Sequence, residues 1–227
     1  MNIFITRKRL LWQIMLWGVL LDLALVGLSL LLHPSLLEAR YVSTAIFCVI
    51  LLLVYGCIGV GLPLLSDQAV TRALWQGTGF GLLIGSVFVI NIAVEYFFDM
   101  NSQASTLSTL GSMALLFLLF GVASARTVLQ TGQLLLGVVT SVWSAFLAIL
   151  ITVLFGVVVN FFFQQRLEHI LASDYLRSGM SDPGTFTFFN TLDSASSHLL
   201  EAPLLAAIFG ILGGLVGKRL PSLRGKR

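Results

Sequence analysis

The chain has 227 residues, of which 57% are hydrophobic and 10% charged, where a water-soluble domain carries about 25% charged residues. Too few charges remain to cover a soluble surface, and long apolar runs place the chain among all-α, polytopic membrane proteins. The net charge of +3 does not point to nucleic acid, because the basic residues gather at the chain ends and beside apolar runs, where they set topology.

The first predicted span is Leu10–Leu32, preceded by Arg7, Lys8 and Arg9. Its basic flank resembles a signal-peptide start. The apolar run is longer than the usual ~7–15 residues, and no small-x-small site follows, so it reads as an uncleaved helix. Asp22 falls near its midpoint. No Lys or Arg lies inside any span to pair with it. A lone acid there costs about 2.5–3.5 kcal/mol on insertion scales, so it must be neutral or face polar groups inside the bundle. That makes Asp22 a candidate for a transport path.

His33-Pro34 ends the first helix, and a second is predicted over Tyr41–Leu65. It holds both cysteines, Cys48 and Cys57, about 13 Å apart along one helix and out of disulfide reach. After the turn Ser66–Thr71 comes the most informative stretch, Arg72–Asp99. Gly77, Gly81 and Gly85 recur every fourth residue and leave one face flat, which lets a neighbouring helix approach backbone to backbone. Asn91 and Glu95, four apart, share a face near the other end and are further path candidates. Asp99–Ser108 is a polar loop.

A fourth span is predicted at Thr109–Ala125 with a little more on either side, stopped by Arg126, and a fifth at Leu134–Phe163, long enough to tilt or project. Asn160, at the far end of the fifth, completes the path candidates. Gln164–His198 is expected to be a loop outside the cytoplasm. Leu167, Ile170, Leu171 and Tyr175 recur there at helical spacing and predict a short amphipathic helix on the membrane surface. The last span is Leu199–Gly217, with Gly210 and Gly214 as packing positions, and residues 218–227 form a basic tail expected to be unstructured beyond Pro221.

This gives one membrane domain of six transmembrane helices over residues 1–227. Ten of the lysines and arginines fall on the side of the termini, against Arg40, Arg166 and Arg177 on the other. The positive-inside rule then puts both termini in the cytoplasm of a cell-membrane protein. At an offset of 65, VEYFFD falls on VNFFFQ, laying Glu95 over Asn160 and suggesting a tandem helical-hairpin repeat.

No nucleotide-binding, nucleophile-elbow or zinc-protease motif occurs, so no enzyme activity and no cofactor are expected. His198 and Glu201, three apart, could join Glu168, His169 and Glu95 in an external metal or proton site, imidazole with carboxylate suiting zinc or a similar divalent ion. A solvated acidic outer face is the simpler explanation, and no metal is expected. Two function classes remain. One is a small-solute or ion permease or channel component using Asp22, Asn91, Glu95 and Asn160. The other is a non-transporting subunit that docks a partner or forms a homo-oligomer, its docking element being the outer loop with Phe186, Phe188 and Phe189. Lipid bilayer is the partner common to both.

Overall fold

The computed structural model describes residues 2–38, 40–98 and 102–224. Asp99 of the acidic outer face, and Lys226 and Arg227 of the tail, lie outside the described residues. The described residues form seven α-helices: α1 (Asn2–Leu32), α2 (Val42–Leu65), α3 (Gln68–Phe97), α4 (Ser102–Thr131), α5 (Leu134–Ile170), α6 (Ala172–Ser178) and α7 (Pro183–Arg224). All but α6 are long and apolar enough to cross a membrane. The chain is therefore an all-helical protein with six candidate spans.

Local chemistry sets the breaks. Pro34 disfavours helical backbone at the residue before it, and His33 is thrown out to φ −123°, ψ 73°. Asp67 caps α3 by accepting from the Val70 amide at 2.8 Å. Gly132 closes α4 with φ +71° and Gly179 closes α6 with φ +69°, conformations that glycine adopts without strain. Asp182 caps α7, accepting from the Thr185 amide at 2.6 Å, with Pro183 at the first helical position, where its missing N–H costs nothing.

The helix at the centre is α5. In its most apolar window 56% of residues are buried, against 28% or less in every other span, and α4 is lowest at 17%. Helix α5 packs against α1, α3, α4 and α7, and α2 closes the bundle against α1 and α7. Lipid tails are as apolar as leucine, so burying apolar side chains does not hold such a bundle together. Close backbone approach and interhelical hydrogen bonds do, and α5 supplies most of both.

Three expectations are corrected. Gln164–His198 is not a loop: α5 runs through to Ile170 across a kink at Phe163 (φ −127°, ψ 29°), and α7 begins at Pro183. The expected amphipathic helix is split accordingly. Leu167 is buried at the end of α5, while the short α6 buries none of its residues. The tail does not fray at Pro221, since α7 continues to Arg224. The fourth helix overruns Arg126 and ends at Thr131. A single Arg at the membrane edge does not end a helix. It leaves the helical backbone intact, and α4 continues five residues past it to Thr131.

An even number of spans puts both described ends of the chain on the same side of the bundle. Arg7, Lys8, Arg9, Arg72, Arg126, Lys218 and Arg219 lie on that side, and Arg40, Arg166 and Arg177 on the opposite one. The first is the basic end of the bundle and the second the acidic end. Glu95 and Asn160, which a tandem repeat would superpose, sit in opposite environments, exposed and fully buried respectively.

Candidate functional site: a buried carboxyl among α1, α2 and α7

The glycine ladder on α3 lies against α5. A side chain at Gly77 would meet the Thr140 carbonyl at 2.7 Å, one at Gly81 the Ser144 carbonyl at 2.9 Å, and one at Gly85 Ile151 at 2.9 Å. Gly79, off this face, meets nothing. The ladder is a packing surface on which two backbones touch. Gly210 on α7 serves likewise against Ser141, and Gly214 against Leu134 and Ser124.

Next to the ladder, polar side chains form a closed network. The Thr140 hydroxyl lies 2.9 Å from the Leu136 carbonyl, 3.3 Å from Ala73 on α3 and 3.0 Å from the Thr127 hydroxyl of α4. Thr127 donates to Gln76 at 2.8 Å, and Gln76 bonds Gln130. The Trp143 indole donates to Thr78 at 3.0 Å. Ser141 donates to the Ala206 carbonyl of α7 at 2.8 Å. Sequence reading missed these residues. Their signal is a run of Thr and Ser on the most buried span, where each hydroxyl needs a partner.

Asp22 is the opposite case. It is 1% exposed, and neither carboxylate oxygen has a hydrogen-bond partner among the described residues. One and two turns towards the basic end, Val19 and Met15 of α1 pack on Gly56 and Gly59 of α2. The Cys48 thiol of α2 is near enough to Asp22 to feel its charge and lies beside the Ser196 hydroxyl of α7. Asp22 therefore faces the bundle interior near mid-span: Gly18, one turn below on the same face, packs on Leu150 of α5, and α2, which carries Cys48, packs against both α1 and α7. The polar side chains that α2 and α7 carry in this region are committed elsewhere or only weakly polar. Ser196 donates to Leu192 at 2.7 Å, Tyr55 donates to Leu199 at 2.7 Å, and a thiol is a poor donor.

Above Asp22, at the acidic end, the same helices carry a second polar group. On α1, Ser29 is fully buried one to two turns up and His33 follows four residues later. His33 stacks on Phe188 at 4.5 Å between centroids, with its Nδ1 3.5 Å from the Thr185 hydroxyl. Thr185 also bonds Ser35 at 2.9 Å. Beyond them opens a pocket of about 240 Å³ lined by Ser35, Glu38, Arg40, Tyr41, Asp182 and Thr185, among others. Hydrogen bonds from Thr185, side chain first and then backbone, hold the Asp182 carboxyl below the usual carboxylate range. Between pocket and Asp22 lie Phe188, Leu192 and Val26, all essentially inaccessible.

The other path candidates do not join Asp22. Asn160 is fully buried, but its amide is spent on α7: it donates to Thr191 at 2.8 Å and accepts from Thr187 at 2.9 Å. Asn91 is half-buried and Glu95 exposed. The weak candidates for an external metal site are not brought together. His169, His198 and Glu201 are all exposed, His198 donates to the Ser194 carbonyl at 2.6 Å, and no three metal-ligating side chains cluster among the described residues. Phe186 and Phe188, expected to face a partner, are buried within the bundle, and Phe189 packs on Tyr41 at 5.4 Å. Both cysteines are free, Cys48 buried and Cys57 exposed. No protein-family model, no curated protein and no solved structure matches this chain.

Proposed function

We propose that the protein is a small-solute or ion permease, or the membrane component of one, with Asp22 as its proton- or cation-binding carboxyl. The observation that carries this is the complete absence of a hydrogen-bond partner for a buried, mid-span acid. A carboxyl kept for packing would be bonded to a neighbouring helix, as Asn160 is. An unbonded one costs several kcal/mol in lipid and is a functional group by default. The pocket at the acidic end stands over the same three helices, with His33, Thr185 and Ser35 between it and the interior. It supports access from that side, through a plug of Phe188, Leu192 and Val26 that must part. By the positive-inside rule the basic end faces the cytoplasm of a cell membrane.

The docking-subunit reading is weaker, because Phe186 and Phe188 are already packed. The test is proton and monovalent-cation flux into liposomes holding the full chain, as wild type, Asp22→Asn and Asp22→Glu. Flux in the wild type, lost in the first variant and kept in part by the second, supports the reading. Flux equal in the wild type and Asp22→Asn overturns the role of Asp22, and a wild type that carries no ion overturns ion transport.

A further inference from the structure

Helices α4 and α7 run in the same direction and touch along small residues. Gly121 meets Gly213, and one turn on Ala125 meets Gly217. Their missing side chains open a groove of about 450 Å³ on the lipid side of the bundle. Phe117 and Phe209 stack across it, 4.3 Å apart and 7° from parallel. Its walls are Leu118 and Val122 on α4 and Leu212 and Val216 on α7, all exposed. The groove belongs to the least buried span and lies away from α1 and α2, so it is independent of the Asp22 reading.

Charge says what occupies it. Arg126 stands four residues after Val122 and Arg219 three after Val216, so each continues one wall of the groove past its basic end. Both are exposed. A concave apolar surface in a bilayer is filled by whatever is next to it, because an empty one forfeits dispersion contacts. A second copy of this chain placed there in the same orientation would bring Arg126 and Arg219 against their own duplicates. An anionic lipid instead puts its phosphate where the arginines are and its tail where the groove is.

We propose that the α4–α7 groove is a binding site for one anionic phospholipid, its acyl chain along Gly121 and Gly213 and its phosphate between Arg126 and Arg219. The arginines choose the headgroup and the paired glycines admit the tail. The protein therefore carries a defined lipid on one face in addition to its bulk lipid annulus.

The test is native mass spectrometry of the full chain in detergent, titrated with phosphatidylglycerol or phosphatidylcholine of equal chain length. The expected result is preferential retention of one phosphatidylglycerol, reduced about five-fold for each of Arg126→Gln and Arg219→Gln, the usual worth of one basic side chain against an anionic surface. Val216→Phe, which fills the groove from its exposed rim, should reduce retention of both lipids. Arg7→Gln with Arg9→Gln, at the same end but on α1, should leave the preference unchanged. Equal retention of the two lipids by the wild type overturns the proposal. So does a preference that follows Arg7 and Arg9 instead, or a dimer that Val216→Phe dissolves. The arginine variants are surface changes, so they decide the matter even if Val216→Phe fails to fold.

Discussion

Two groups of buried polar side chains sit in one bundle and are treated in opposite ways. Around Thr140, hydroxyls, amides and an indole from α3, α4 and α5 satisfy one another, and glycines bring the backbones close enough for them to do so. Around Asp22, a stronger polar group has no hydrogen-bond partner among the described residues. The first arrangement is what stability requires in lipid, where an unmet polar group has no water to fall back on. The second sacrifices stability, and that contrast marks the Asp22 region as the place where the chain does something other than hold itself together.

The comparison can be broken most severely at the ladder. Gly81→Leu forces a side chain into the Ser144 carbonyl and Leu147, both 2.9 Å from its first carbon. It should cost about 3 kcal/mol or more, as backbone-displacing overpacking does. The readout is loss of the monodisperse peak and of the thermal transition. Gly79→Ala, which meets nothing within 4 Å, should be neutral or slightly stabilising, since alanine is the better helix former. If the two behave alike, close packing of α3 on α5 is wrong.

Changing one polar group on each side of the comparison sharpens it. Thr140→Val removes three interhelical or backbone contacts and should lower stability by about 1–2 kcal/mol. Asp22→Leu is expected to raise the melting temperature, because it deletes an unpartnered acid and leaves a side chain of similar size in an apolar setting. A fall in melting temperature on Asp22→Leu would mean that the carboxyl has a structural partner after all.

Smaller effects separate the acidic end from both. Asp182→Ala removes the cap of α7 and should cost about 1 kcal/mol. The carboxyl of Asp182 is held below its usual value in the folded protein by Thr185. Its contribution is therefore complete above the unfolded carboxylate value, about 3.9, and disappears as pH falls through the lower folded value. Melting curves at neutral and strongly acidic pH should converge for wild type and Asp182→Ala only at the acid extreme. The smallest effect is assigned to Glu95→Gln. An exposed residue should shift stability by less than about 0.5 kcal/mol, and if it also leaves flux untouched, Glu95 has no part in the path.

How much of this was legible beforehand follows from which forces act locally. Six apolar runs and the Pro34 break are decided within a few residues, and the middle of each run lies in a helix where the sequence puts it, though several ends do not. The loop at Gln164–His198 was misread for the same reason in reverse. Its Thr, Asn and Ser residues look hydrophilic along the chain, yet Thr187 is buried against Asn160 of α5, Thr185 against Ser35 in the turn after α1, and Ser196 by bonding the Leu192 carbonyl of its own helix. Asp22 could be singled out by composition alone, since one acid in an apolar run is conspicuous.

From the order of its residues, then, this protein is committed to six crossings, to a basic and an acidic end, and to a glycine face on its third helix. Those depend on transfer to lipid and on helical spacing, which each segment settles by itself. Which helix becomes the centre, whether Asn160 is bound while Asp22 is left bare, and where a groove stays open on the surface depend on what lies opposite in space. Packing of separate helices decides them, because a polar group in lipid is satisfied or stranded according to its neighbour across the interface.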